Sequence, residues 1–356
     1  MRGWYTPLAS GYHSIMTTKI LNALQLSIAV LVCLTVTGCY YMQAVSGQFE
    51  VMRKREPIDE IVADPRTPPE LADRLRFVQE AREFSIARLG LPDNKSYQTY
   101  SDLERDFVVW NVFAVPEFSL TPKQWCYPVA GCVSYRGYFK KEAAVRAASK
   151  LDKAGYDVYL GGVSAYSTLG KFSDPVLSTM MHWDDVQMAS VLFHELAHQL
   201  LYVKGDTGFN ESFATAVEEV GIERFLLSKH MSDALQVYKD RKGLRRRLMK
   251  IMNAARIDLS NWYAQDMSDD DKRKGKRSRI ELLREALDVE LKNSGRTSSS
   301  WPGEPLNNAR IASLALYEGR LPEFLLMLEQ CDDDLECFYD EARRVSRLDQ
   351  SARDES

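Results

Sequence analysis

The chain has 356 residues, and its 46 basic and 50 acidic side chains give a formal net charge of -4. This length allows one large or two modest domains with a real hydrophobic core. A hydrophobic content of 45% with 27% charged residues excludes a disordered tail and a polytopic membrane protein, and the near balance of charges argues against a nucleic-acid binder.

The N-terminus carries the pattern of an exported bacterial lipoprotein. Lys19 precedes an uncharged apolar run over residues 20–36, and the sequence VTGC follows, ending at Cys39. A basic start, an apolar segment and small residues before a cleavage site are typical of a secretory signal. The last four residues resemble a lipobox, in which the cysteine is lipidated. We therefore predict a signal peptide over 1–38, a lipid anchor at Cys39 and an outer-membrane location facing the periplasm.

Two alternatives stay open at this end of the chain. The apolar run is slightly shorter than the about 20 residues that span a bilayer, so a single membrane anchor is the second interpretation. The segment before Met16 is long for the basic part of a signal peptide, so translation from Met16 is an alternative start.

After a short tether over 39–56, helix, strand and turn signals alternate, which predicts an α+β fold. Apolar residues at three- and four-residue steps predict the helices, and β-branched and aromatic runs predict the strands. The predicted helices are 57–89, 141–154, 183–203, 211–229, much of 231–292 and a pair over 308–347, and the predicted strands are 107–115 and 156–160. The charged run 269–279 is predicted as a solvated hairpin connection.

The clearest chemical signal is the sequence HELAH, from His194 to His198. Positions i and i+4 of a helix share one face, so the two imidazoles can bind one zinc ion with Glu195 beside it as general base. The flanking residues are apolar nearly all round the helix, which predicts burial. Because unpaired buried charge is costly, zinc explains this motif better than a chance match does.

A catalytic zinc needs a third protein ligand and one open position. No histidine follows at the spacing of a metzincin. Glu211 begins a further predicted helix after a turn over 204–209, so we predict it as the third ligand. Glu218 and Glu219 are rivals that fit a solvated carboxylate or a partner of a ligand better, and Asn210 is a candidate helix cap.

Peptide hydrolysis at such a site also requires a hydrogen-bond donor for the oxyanion. A tyrosine suits this role because its O–H is neutral and directional. The candidates are Tyr135, Tyr138 and Tyr166, which the sequence does not rank. A packing role is an equal alternative for each of them.

The HELAH motif followed by NESFA at 210–214 resembles the gluzincin metallopeptidases. With the segments 126–139 and 161–170, nearly all of the mature chain is similar to a family of zinc-dependent bacterial lipoproteins classed as aminopeptidases. The resemblance implies a zincin core, with a small sheet, an edge strand, the HExxH helix and a glutamate helix, plus mostly helical N- and C-terminal parts. The interval of 13 residues from His198 to Glu211 is shorter than in the thermolysin type, so we expect a compact turn.

In gluzincins an edge strand before the HExxH helix pairs with the backbone of the substrate, by strand addition. The resemblance therefore implies substrate-binding residues in the glycine-rich segment that precedes the motif. These residues are Gly161, Gly162, Val163 and Ala165.

Four cysteines remain after export and lipidation, in two pairs with five residues between the members. An oxidising compartment favours disulfides, and neither pair has the CxxC spacing of a zinc site. We predict the bonds Cys126–Cys132 and Cys331–Cys337.

The sequence thus predicts a catalytic region over 57–230 and a charged helical region over 231–356. The leading hypothesis is a lipid-anchored zinc peptidase, an aminopeptidase, which acts on peptides and binds no nucleic acid. The alternatives are an envelope endopeptidase for quality control and a non-catalytic interaction lipoprotein stabilised by zinc. The intact Glu195 speaks against the last, because a structural zinc needs no general base.

Overall fold

The computed structural model describes residues 40–127, 131–296, 306–314, 320–349 and 353. It contains two compact units, Met1–Val51 and Met52–Ser356. Helix α1 covers residues 40–53. The predicted signal peptide and its cysteine, Cys39, lie outside the described residues. Within the described ranges, no helix is both long enough and apolar enough to cross a membrane.

The larger unit is α+β, as predicted, and its described residues form long helices and three small sheets. Its helices are α2 Ile58–Ala63, α3 Pro69–Leu89, α4 Lys141–Lys153, α5 Asp185–Leu200, α6 Thr207–Ser228, α7 Ser232–Tyr263, α8 Asp269–Asn293, α9 Asn308–Leu314, α10 Leu321–Gln330 and α11 Leu335–Ser346. Its strands are β1 Arg55–Pro57, β2 Thr99–Ser101, β3 Val109–Pro116, β4 Trp125–Tyr127, β5 Gly131–Val133, β6 Arg136–Tyr138, β7 Tyr156–Val163 and β8 Val176–Leu177.

The sheet that matters for the site has the order β6-β3-β7, with both pairs antiparallel. β3 and β7 pair along eight residues, from Val109 opposite Val163 to Pro116 opposite Tyr156. β7 is therefore an edge strand of this sheet, and β6 is the other. Its Gly162 lies so close to the Phe107 ring that an added Cβ would be 2.5 Å from it, which explains a residue without a side chain there.

Helices α5 and α6 form the centre of the core. Phe193 of α5 packs edge-to-face on Phe225 of α6, and Phe84 of α3 contacts both rings. The predicted burial of the HELAH helix is confirmed, because Leu192, Phe193, Leu196 and Ala197 are at most 2% exposed. Helices α10 and α11 cover the other side of α6 through stacked aromatic rings, such as Phe213 on Phe338.

Both predicted disulfides are present, between Cys126 and Cys132 and between Cys331 and Cys337. The first joins the neighbouring strands β4 and β5. The second joins the C-terminal end of α10 to the first turn of α11.

The prediction of a hairpin connection over 269–279 is wrong, because these residues form the first half of α8. The Ser268 side chain caps the helix by accepting a hydrogen bond from the Asp271 backbone N–H. The three aspartates of the first turn suit the positive end of the helix dipole. Arg273 pairs with Asp270 one turn back. The run therefore begins with acidic residues and continues with basic ones, which is the order that favours the start of a helix.

Other helix boundaries also differ from the expectation. The helical pattern over 57–89 divides into α2 and α3, because the proline pair at 68–69 starts a new helix with Pro69 in its first turn. α6 begins at Thr207, four residues before the predicted start at 211. Its N-cap is Asp206, whose carboxylate accepts from the Phe209 backbone N–H, so the prediction of Asn210 as the cap is wrong.

Candidate metal site

The turn between α5 and α6 brings the two predicted parts of the metal motif together. α5 ends at Leu200, and the chain reverses over residues 201–206 before α6 begins. The Asn210 side chain closes this turn, since its Oδ1 accepts from the Val203 N–H at 2.7 Å and its Nδ2 donates to the Val203 carbonyl at 2.8 Å. In the expected compact connection Asn210 thus acts as an amide clamp, while Asp206 is the helix cap.

His194, His198 and Glu211 form one cluster of possible metal ligands, with ligand atoms all within 4.8 Å of one another. The Glu211 Oε2 atom lies 3.4 Å from His194 Nε2, and Oε1 lies 3.6 Å from His198 Nε2. Three ligands bound tetrahedrally to zinc at their usual bond lengths are separated by about 3.4 Å. Both separations between Glu211 and the histidines therefore match tetrahedral zinc, and the ligand types are those that zinc prefers.

A second carboxylate, that of Glu218, contacts the ring nitrogen of His194 that faces away from Glu211. Its Oε2 lies 3.2 Å from His194 Nδ1. The other oxygen accepts from the Ser190 hydroxyl, from Lys242 Nζ at 2.7 Å and from the Tyr238 hydroxyl at 3.2 Å. A histidine that donates from Nδ1 to a carboxylate keeps Nε2 free of a proton, which is the tautomer a metal ligand needs.

The electrostatics of the protein without metal show how strongly the cluster is adapted to a cation. Burial lowers the pKa of His194, but hydrogen bonds to Glu211 and Glu218 outweigh it and raise this pKa to about 10. Burial raises the pKa of Glu218, yet its bonds to His194 and Lys242 bring it down to about 2. Burial and the neighbouring His194 lower the pKa of His198 to about 4. Glu211 and Glu218 are thus charged, and in the protein without metal the positive charge that they stabilise is the protonated His194 ring.

Glu195 is adjacent to this cluster but is not one of its ligands. Burial raises the pKa of its carboxyl to about 7, with the charges of Glu211 and Asp174 adding to the rise and those of His194 and a Ser167 hydrogen bond opposing it. Ser167 is itself placed by Asp174, whose Oδ2 is 3.2 Å from the Ser167 hydroxyl. The loop after β7 therefore positions the carboxyl group that would act as the base.

A cleft of about 790 Å³ opens at this cluster. Its lining includes His194, Glu195 and Glu211, and also Gly162, Val163 and Ala165 from the edge strand and the residues after it. Three of the four residues predicted to bind substrate thus border the cleft beside the metal ligands. Gly161, the fourth, belongs to β7 opposite Asn111 of β3 and is not part of this lining.

The three candidate tyrosines are not among the described residues that line the cleft. Tyr135 precedes β6 and packs on the ring of Phe113, Tyr138 is buried at the end of β6, and Tyr166 contacts the ring of Phe139. Their role as oxyanion donors stays a prediction. The tyrosine that does line the cleft is Tyr238 of α7, whose hydroxyl is engaged with Glu218.

Sequence reasoning had not singled out Ser190, Tyr238 or Lys242. Ser190 was detectable, because it lies one helical turn before His194 on the same face of α5. Tyr238 and Lys242 share a face of α7 with the same spacing, but nothing local shows that this face meets α6. The two rivals to Glu211 have different contacts, because Glu218 contacts His194 while Glu219 pairs with Arg246.

Comparison with known proteins agrees with the resemblance drawn from the motifs. A family model described as "Putative aminopeptidase" matches residues 39–356, and the chain belongs to this family. Family membership indicates a peptidase. Neither the curated proteins nor the solved structures give a match.

Proposed function

We propose that this protein is a zinc-dependent aminopeptidase of the gluzincin type, anchored by a lipid in the bacterial cell envelope. The observation that carries the proposal is the convergence of His194, His198 and Glu211 beside Glu195 in one cleft. The family description supports peptide substrates. The edge strand β7 at the border of the cleft supports binding of an extended peptide by strand addition.

In this proposal the chain's own residues divide the work. His194, His198 and Glu211 hold the ion, and Glu218 fixes the ring of His194. A zinc ion in this position supplies Lewis-acid activation of water and of the scissile carbonyl. Glu195 accepts the proton of the attacking water and delivers it to the leaving amine. Ser167 and Asp174 keep the Glu195 carboxyl directed at the cleft.

The decisive experiment separates the base from the metal ligands. Glu195→Gln should lower kcat by at least about 100-fold, the usual contribution of a general base, while zinc content measured by atomic absorption stays at the wild-type level. Glu223→Gln is the matched control, because this carboxylate is on α6 and pairs with Lys239 away from the cleft. Full activity of Glu195→Gln would refute the mechanism.

The aminopeptidase assignment has its own test. Peptides with a free N-terminal amine should be cleaved one residue at a time, whereas the same peptides with an acetylated N-terminus should be resistant. Cleavage of the acetylated peptides at internal bonds would instead identify an endopeptidase. Mass spectrometry of the products distinguishes these results directly.

The lipid anchor is tested at Cys39. In the proposal, metabolic labelling with a fatty acid marks the wild-type protein, and Cys39→Ala abolishes both the label and the recovery of the protein with outer membranes. A Cys39→Ala protein that still incorporates the fatty acid would contradict a lipid anchor at this residue.

A further inference from the structure

The cleft beside the candidate metal site has a cationic lining that hydrolysis does not require. Five cationic side chains line it, and we call them the basic wall: Arg241, Lys242, Arg245, Arg296 and Arg310. The carboxylates in the described lining are Glu195, Glu211 and Glu218, and all three belong to the metal site and its support. The cleft therefore carries more positive than negative side chains even before a divalent ion is added.

Two members of the basic wall, Lys242 and Arg241, tie α7 to neighbouring helices through ion pairs. Lys242 pairs with Glu218 at 2.7 Å, and Arg241 pairs with Asp184 at 2.7 Å. These pairs connect α7 to α6 and to the start of α5. The other three members come from different elements: Arg245 from α7, Arg296 from the residues after α8 and Arg310 from α9. Their convergence on one cleft is a property of the tertiary structure.

Arg310 is held in a defined position within the basic wall. This arginine is only 7% exposed, and its guanidinium group lies 4.2 Å from the centre of the Tyr159 ring. A cation–π contact of this kind fixes the plane of the guanidinium group. An oriented guanidinium group is the preferred protein partner of a carboxylate, which it can bind through two parallel hydrogen bonds.

The rest of the lining indicates which kind of ligand would present a carboxylate to the basic wall. Leu244, Leu248 and Met249 of α7 give the cleft an apolar part. Its volume of about 790 Å³ is within the usual range for a small-molecule site. A short peptide with an apolar side chain and a carboxylate matches both the apolar part and the volume of the cleft.

Resting on the proposed peptidase function, we propose that the cleft selects peptide substrates with a carboxylate that is bound by Arg245, Arg296 and Arg310. The carboxylate is the C-terminus of a short peptide or the side chain of an aspartate or glutamate. Both sources present the same two oxygens to the basic wall, and matched peptides distinguish them.

The experiment compares kcat/KM for two peptide pairs on the zinc-loaded full-length protein. The first pair is Leu-Ala-Ala with a free C-terminal carboxylate and the same peptide as its amide. The second pair is Leu-Ala-Glu-Ala amide and Leu-Ala-Gln-Ala amide. We expect the member with the carboxylate to be about tenfold better in at least one pair, the scale of a charge-assisted hydrogen bond. The pair that shows the preference identifies the source of the carboxylate.

Variants assign the preference to the wall. Arg245→Gln and Arg296→Gln should each reduce the preference, and the double variant should abolish it, while Arg245→Lys retains part of it. Arg256→Gln is the control, because this arginine is on the same helix and bonds to Asn253 outside the cleft. Arg310 is left unchanged because its burial makes a folding defect the expected result of replacing it.

The outcomes separate this inference from the proposed function. Cleavage with equal kcat/KM in both pairs, or a preference that survives in the double variant, overturns carboxylate selection and leaves the peptidase proposal intact. Absence of any zinc-dependent cleavage overturns the peptidase proposal. Calorimetric titration of Glu195→Gln with the same peptides then decides the inference, because tighter binding of the carboxylate members supports it and equal binding overturns it.

Discussion

His194 lies between two carboxylates that have different tasks. Glu211 faces its Nε2 atom, on the side where a cation would bind, whereas Glu218 faces Nδ1 and would set the tautomer. Glu218 is buried, and Ser190, Tyr238 and Lys242 fix its second oxygen. Affinity for the metal should therefore depend on a residue that does not touch the metal.

Glu218→Gln should weaken zinc binding by about 10- to 100-fold, the usual loss when the carboxylate partner of a metal-binding histidine is removed. Competition with a chromophoric zinc chelator measures this affinity. The Glu223→Gln control on the same helix should bind zinc like the wild type. An unchanged affinity in Glu218→Gln would show that the contact to His194 Nδ1 has no functional role.

Among the helices, the pair α7 and α8 forms the second core of the large unit. Leucines at helical spacing from both helices pack together, including Leu244, Leu248, Leu283 and Leu287. The two helices are in close contact at Gly275, since an added Cβ would lie 2.2 Å from the Trp262 ring. Arg279 covers this ring at 3.9 Å, so the indole cannot move aside without losing a second contact.

Gly275→Ala should therefore lower the free energy of unfolding by about 1–3 kcal/mol, the cost of overpacking a close contact. Gly243→Ala is the matched control. Its Cβ would meet only the flexible end of Arg247 at 3.4 Å, so higher helix propensity should stabilise it by up to about 1 kcal/mol. Urea denaturation measures both, and equal stabilisation of the two variants would contradict a close crossing at Gly275.

The disulfide between α10 and α11 also stabilises a pair of neighbouring helices. Cys331–Cys337 closes a short loop, for which loss of chain entropy in the unfolded state predicts a stabilisation of about 2 kcal/mol. The double variant Cys331→Ser/Cys337→Ser should lose this amount in urea denaturation. A reductant in the unfolding assay should destabilise the wild type by this amount more than the double variant, which retains only the Cys126–Cys132 bond.

For the whole molecule, the candidate metal site links elements that are distant in the sequence. α5 and α6 hold the cluster, and α7 supports it through Lys242 and Tyr238. A ligand that binds only the folded state stabilises it in proportion to its concentration above Kd. Binding of metal should therefore stabilise residues 52–356 as one unit.

Removing zinc with a chelator should lower the Tm, and adding zinc back should restore it. At 100 times Kd the stabilisation is about 2.7 kcal/mol. Differential scanning calorimetry provides the measurement. His194→Ala/His198→Ala should have a Tm that does not respond to zinc, and an equal response in this variant would place the stabilising metal elsewhere.

The sequence by itself determined the parts of this protein that depend on short-range pattern. The i, i+4 spacing of His194 and His198 requires only a helix, and burial of that helix follows from its apolar flanks. The two disulfides were predictable from the local spacing of the cysteines. The α+β class follows from alternating helix and strand signals.

Tertiary structure decided what comes from several elements at once. Whether Glu211 or Glu218 faces the shared side of the two histidines depends on the angle between α5 and α6, which the Asn210 clamp and aromatic packing set. The charged run 269–279 has local signals of a helix start, but its contacts to Glu117 through Arg273 and to Trp262 at Gly275 exist only in the tertiary structure. The basic wall gathers arginines from α7, α9 and the residues after α8. Side-chain periodicity defines the face of one helix, but it does not state which other face that helix will meet.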